Sequence, residues 1–320
     1  MSASAKAYIA ATLYATIVGL SFLGTKTSVD ITTPLLTLVW RYNMGFIGAL
    51  FLILFGIVKI RFKGKNIKGL LLASIFYISF MGIQTFGLTK ATSIEASIIF
   101  AIVPVFVQVF AFIILKERTT FVQNFFIAIT IIGIIILYAW GSIKLSEINP
   151  WGMLIILISS LCMALSNVYM RYARKDFKAM EVGSFIAILG CIVFNTVFII
   201  SKLFANVDNS YVSPFASENG ITFAIAIVYL GIPCMLFTST LITYALSHIE
   251  AVKGTIFGNL SLLIAIIAGI IIRNEPFMSY HFICSALIVI GVIGTNIDFN
   301  KTRFSKSSSG NVPESYTDRH

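Results

Sequence analysis

Arg41 is the one charge set well inside a long apolar stretch, about seven residues into the run that opens at Pro34, with Trp40 beside it. At the centre of a bilayer such a charge costs roughly 2.5–3.5 kcal/mol on insertion scales, so it has to face a cavity or a partner. A planar guanidinium there suits bidentate capture of a carboxylate or phosphate. The structural alternatives are a pair with Glu95 or snorkelling toward an interface. Four carboxamides, Gln84, Gln108, Asn195 and Asn259, occupy similar apolar runs. Hydrocarbon obliges each to find partners, either along a polar pathway or in helix–helix bonds of about 0.6 kcal/mol. Gln108 stands one helical turn beyond Pro104, and a proline there frees a backbone carbonyl and bends a helix, a way to build a pocket. Pro233 has the same potential in a later run.

Other charged residues sit near the ends of the apolar runs. Glu117 and Glu275 follow such ends, where a carboxylate opposes the helix dipole and needs compensation from Lys116 and Arg118 or from Arg273. Alternatively, each caps the following helix. Glu95 and Glu250 lie near the starts of later helices, and Lys26 and Lys90 read as interfacial snorkelers. No catalytic residue, cofactor or metal site is expected. The three histidines, His248, His281 and His320, are scattered, and the sequence has no HExxH, GxSxG or GxxxxGK[ST] pattern. ATP therefore does not drive the chain directly.

The elements that position these residues are set by composition. Of 320 residues, 58% are hydrophobic and 11% charged, with a mean hydropathy of +0.94. Soluble domains carry about 25% charged residues. The apolar residues come in runs near the about 20 residues that cross a bilayer as a helix. The runs predict helices over 7–28, 34–58, 67–88, 93–115, 121–141, 150–170, 180–203, 221–245, 250–272 and 279–299. The first exceeds a signal-peptide core and is read as an uncleaved helix. Small residues at four-residue spacing, Ala7, Ala11, Ala15 and Gly19, with Gly254 and Gly258 later, point to close helix packing. All four cysteines lie inside apolar runs without metal or disulfide spacing. The net charge of +10 resides mostly in the connections between runs, which argues for membrane topology and against nucleic acid.

With the N-terminus inside, 17 Lys and Arg fall on the inner segments and 5 on the outer ones, Arg41 excepted. Both termini are thus expected in the cytoplasm, with an even number of spans. Trp140 and Trp151 flank one outer connection, as an aromatic belt would. The chain also repeats itself. An offset of 158 residues sets Phe86 on Tyr244, Glu117 on Glu275 and Gly133 on Gly291, and an offset of 145 sets Leu20-Ser21 on Leu165-Ser166. Five helices per half is odd, so the second half enters the membrane inverted, an architecture recurrent in secondary transporters.

Two segments carry a likeness to a known family: ASIIFAIVPVFVQVFAFIILKERTTFVQNFFIAITIIGIIIL from Ala96 to Leu137, and GTIFGNLSLLIAIIAGIIIRNEPFMSYHFICSALIVIGVIG from Gly254 to Gly294. Together with Trp40-Arg41, they resemble the drug/metabolite transporter superfamily, EamA type. One departure is that Pro104 meets Leu262, so the mid-helix proline appears in one half only. The resemblance implies a ten-helix basket around a central cavity, and outward transport of small metabolites.

The expected fold is therefore all-α and integral to the membrane: ten transmembrane helices as two inverted five-helix repeats over 5–141 and 150–299, then a disordered cytoplasmic tail, 300–320. The expected function is secondary transport, foremost export of amino acids and related amphiphiles across the plasma membrane, by a monomer or homodimer. Protons are the candidate coupling ion. Trp40, Arg41, Gln84, Gln108, Asn195, Tyr244 and Asn259 are the candidate substrate-binding residues. The rival reading is a membrane-embedded enzyme or a lipid-handling protein.

Overall fold

The computed structural model describes residues 3–115, 121–143, 150–204, 213–246 and 251–296, and among them there is no strand. The helices are α1 (Ala3–Ile31), α2 (Pro34–Leu54), α3 (Ile67–Gly87), α4 (Ser93–Phe100), α5 (Val103–Leu115), α6 (Phe121–Ile143), α7 (Pro150–Ala173), α8 (Ala179–Phe204), α9 (Gly220–Gly231), α10 (Thr238–Leu246), α11 (Ala251–Arg273) and α12 (Ser279–Asn296). Their starts follow local chemistry. Thr33 accepts a hydrogen bond from the Leu36 amide at 3.3 Å and Pro34 opens α2, where its missing N–H costs nothing. Thr92 and Glu95 form a reciprocal capping box on α4.

Seven stretches of the described residues are long and apolar enough to cross a membrane: α1, α2, α3, Ser93–Phe110, α7, α8 and Gly220–Ile242. Shorter apolar stretches, Asn124–Gly133, Leu260–Arg273 and Ser279–Gly291, lie in α6, α11 and α12. Large apolar side chains face outward, among them Leu54, Phe204, Ile221 and Ile271, each more than 70% exposed. Such a surface suits acyl chains and not water.

Two runs expected as single helices are broken. A turn at Ala101 and Ile102 separates α4 from α5 just before Pro104, and Pro233–Phe237 form a π-helical segment between α9 and α10. Each proline lacks the N–H that would extend the ladder, and its ring collides with the carbonyl four residues back.

Packing pairs α3 with α7, α2 with α8, α6 with α12 and α1 with α11; α1 also touches α9 and α10, and α7 touches α4 and α5. The α1 alanines carry their side of this packing, since Ala7, Ala11 and Ala15 are fully buried. Closest of all is Gly190 of α8, where a Cβ would stand 2.0 Å from the Tyr42 ring of α2. The connections gather at two ends. At one, the Asn66 amide donates to Asp176 at 3.1 Å and Lys65 approaches Glu181 at 3.8 Å. The opposite end collects the C-termini of α1, α3 and α11 and the start of α4.

Candidate functional site

A cavity of about 380 Å³ lies at the centre of the bundle, at the small end of the usual size range for small-molecule sites. Both helix breaks line it: Phe100, Ala101 and Pro104 from one, Cys234, Met235 and Thr238 from around the other. Where helices break, backbone carbonyls lose their ladder partners and become available to a ligand. Aromatic and thioether side chains make most of the wall. Phe22 meets Phe100 edge-on at 5.5 Å, Phe80 packs on Phe100 at 5.1 Å, and Tyr77 lies against Phe80 at 5.4 Å. Tyr14, Ser21, Gln84, Ser97, Asn167 and Ser261 supply polar groups. No Asp or Glu lines the cavity among the described residues.

Arg41 lines this cavity from α2 and is only 2% exposed. Its Nη1 donates to Thr25 Oγ1 at 3.3 Å, while its Nε is buried without a hydrogen-bond partner. Among the described residues no carboxylate pairs with it. The pair with Glu95 does not form, because Glu95 Oε2 accepts the Thr92 amide at 2.9 Å and is committed to its own helix start.

Of the other expected residues, Gln84 joins Arg41 in the lining. Trp40 points elsewhere, its ring edge-on to Phe215 at 4.7 Å. Asn195 donates to Asn43 Oδ1 at 2.7 Å and to the Cys191 carbonyl at 2.7 Å, which ties α8 to α2. Gln108 is half-buried on α5 and outside the lining. Tyr244 lines a second cavity, of about 620 Å³, with Lys59, Lys178 and Glu181 at the 56–59 and 174–181 end. Arg174 and Ala179 line both cavities, so the central one leads toward that end. Asn259 stands on α11, and its side chain is outside the described residues, as are Glu117, Glu250, the side chain of Trp140 and the 300–320 tail. Tyr14, Tyr77, Ser97 and Asn167 were missed. The rule that picked out the four amides applies equally to Asn167 on α7; the tyrosines gave no such signal.

The opposite end of the bundle holds a polar network. Glu275 Oε1 accepts the Ser93 amide at 3.1 Å and Oε2 the Ile94 amide at 3.1 Å, while Ser93 Oγ lies 2.8 Å from both oxygens. The carboxylate thus caps α4, 182 residues away, and not the helix that follows it. Arg273 supplies the expected compensation: its Nε lies 3.4 Å from Glu275 Oε1, and it also bonds Thr27 and Asp30. Asn274, at φ +53, ends α11 and turns Glu275 back toward α4. Lys26 is engaged here too, donating to the Leu88 carbonyl at 2.8 Å and pairing with Asp30 at 3.5 Å, so it is no free snorkeler.

Apolar helices around a largely apolar cavity that holds a buried arginine and leads toward one end of the bundle describe a multi-pass membrane transporter. The sequence profile of the EamA-like transporter family matches residues 5–139 and again 150–297. The chain belongs to that family, and so to the drug/metabolite transporter superfamily. A Bacillus subtilis protein named uncharacterized transporter YcxC is 37% identical over 296 residues, which is 92% of this chain and 94% of that one. An uncharacterized transporter of Archaeoglobus fulgidus is 24% identical over 90% of this chain and 97% of its own. A solved crystal structure shares the fold with a TM-score of 0.61 at 15% identity, over 93% of this chain and 99% of that chain.

Proposed function

We propose that this protein is a secondary transporter that exports small amphipathic metabolites, with amino acids and their relatives the leading class, across the cytoplasmic membrane by alternating access. The observation that carries the reading is the central cavity, which leads toward the 174–181 end; we read the Glu275 network, which ties α4 to the end of α11, as the gate at the other. One open and one shut end is the geometry of a single state in an alternating cycle.

The helix pairing supports two inverted five-span halves. If α4 with α5 and α9 with α10 each count as one span, the described helices make ten. Exchanging the halves turns the α3–α7 contact into α1 against α9 and α10, and the α1–α11 contact into α7 against α4 and α5; all of these are present. The α2–α8 and α6–α12 contacts map onto themselves. The basic excess of 17 to 5 favours cytoplasmic termini, and the cavity then opens inward. Either a proton gradient or the substrate's own gradient would drive the cycle. The family weighs against the embedded-enzyme and lipid-handling alternative.

The test is a flux screen over amino acids and related amphiphiles with purified protein in proteoliposomes. Saturable, protein-dependent movement of at least one compound is expected. Folded protein that moves none of them overturns the reading.

A further inference from the structure

Within that transport reading, on which this rests, we infer that the central cavity selects organic monoanions: a carboxylate on an aromatic or otherwise apolar body, with no requirement for an amino group. Arg41 leaves one positive charge uncompensated in the cavity wall. The guanidinium is 2% exposed, has one hydrogen bond to protein, at Thr25, and leaves Nε unpartnered. Thr25 offers a neutral hydroxyl that itself donates to the Ser21 carbonyl at 2.8 Å. A buried cation with no counter-ion is costly, and the usual remedy is a fixed carboxylate. Here no Asp or Glu lines the cavity among the described residues, and Glu95, the partner the sequence suggested, is committed to Thr92. The remaining source of negative charge is whatever occupies the cavity.

The rest of the wall narrows the ligand further. Phe22, Phe80, Phe100, Met81, Met163 and Met235 are apolar and polarizable, which suits an aromatic or thioether-sized body. Arg174 also lines the cavity but is exposed at its mouth, so the one buried cation of the described lining is Arg41. It balances one negative charge, which matches a carboxylate and leaves a phosphate dianion one charge in excess. An ammonium group finds no carboxylate in the described lining, so a zwitterion gains nothing electrostatically from its amino group. The charge balance also fits transport: a loaded cavity is locally neutral, so closing it over the substrate strands no bare ion in a low-dielectric interior.

The experiment compares ligands that share one apolar body, using wild-type protein: hydrocinnamate, hydrocinnamamide, phenylpropylamine, phenylalanine and benzyl phosphate. Affinity is read by calorimetry or thermal shift in detergent. Hydrocinnamate is expected to bind at least about tenfold more tightly than the amide and the amine, and no more weakly than phenylalanine. Arg41→Gln, where it folds, should erase the acid–amide preference, and Arg41→Lys should retain only part of it. Amide or amine binding as tight as the acid, tighter binding of benzyl phosphate, or no binding by any of the five overturns the inference. Flux of the same compounds in proteoliposomes separates the two readings. If a probe crosses but the acid shows no preference, the anion assignment falls and transport stands. If the acid is preferred but no probe crosses, the site stands and transport falls.

Discussion

Arg41 donates to Thr25, lines the cavity and leaves Nε buried without a partner, so what replaces it decides what is lost. Lysine keeps the charge but has a compact ammonium in place of the planar fork. Arg41→Lys is expected to reach the membrane at near wild-type abundance and to carry substrate about tenfold more slowly, checked by quantitative blotting beside proteoliposome flux. Normal flux in that variant would assign Arg41 a structural role. Gly190 makes the contrasting case, because its importance is purely steric. A methyl there would occupy the Tyr42 ring's space, 2.0 Å from Cε1. Gly190→Ala should therefore destabilise the α2–α8 contact by about 1–3 kcal/mol, seen as a lower thermal midpoint in detergent.

Helices α4 and α11 meet where Glu275 caps α4, and in the proposed cycle this joint is the gate at the far end of the cavity. The carboxylate accepts two backbone N–H groups at a helix N-terminus, where negative charge is favoured. A hydrogen bond to a charged group is worth about 1.5–3 kcal/mol, so Glu275→Gln should shift the equilibrium roughly tenfold toward opening at that end. A reporter cysteine at Ser97, on a background lacking the four native cysteines, should then react faster with an impermeant thiol reagent applied from outside cells. An unchanged rate would reduce Glu275 to a helix cap with no gating consequence. The broken helices invite a second test. Pro104→Ala restores an N–H and permits α4 and α5 to join, which moves Phe100 and Ala101 in the cavity wall. Flux should drop severalfold while thermal stability holds or rises, because proline is disfavoured by about 3 kcal/mol in a helix interior.

For the molecule as a whole, orientation decides which compartment the cavity of this state opens to. The basic connections, residues 59–68 and 171–178, share the end toward which the central cavity leads. Charge asymmetry of this kind sets insertion. Lys63→Cys should resist an impermeant reagent in intact cells and react once they are permeabilised, whereas Glu218→Cys should react in both. Reactivity of Lys63→Cys from outside would invert the topology and make the described state outward-facing.

Hydrophobicity by itself determined that this chain crosses membranes, because runs of about twenty apolar residues have no other stable setting and every helix satisfies its own backbone there. The prolines marked where two helices would bend, through local covalent geometry that needs no tertiary context; that the bends at Pro104 and Pro233 are full breaks only the structure showed. The cost of burying a charge brought Arg41 to notice, and the same cost put it at the cavity. Which neighbours the polar residues would have was decided only by the tertiary structure. Gln84 reached the cavity while Asn195 was taken up by Asn43, though both are amides in equivalent apolar runs. In a helix surrounded by lipid and apolar protein alike, no face is marked by polarity, so periodicity cannot say which way a side chain points. Glu275 shows the limit most clearly. Its partner lies 182 residues earlier in the chain, and only the packing of α11 against α4 brings the carboxylate to the amides it caps.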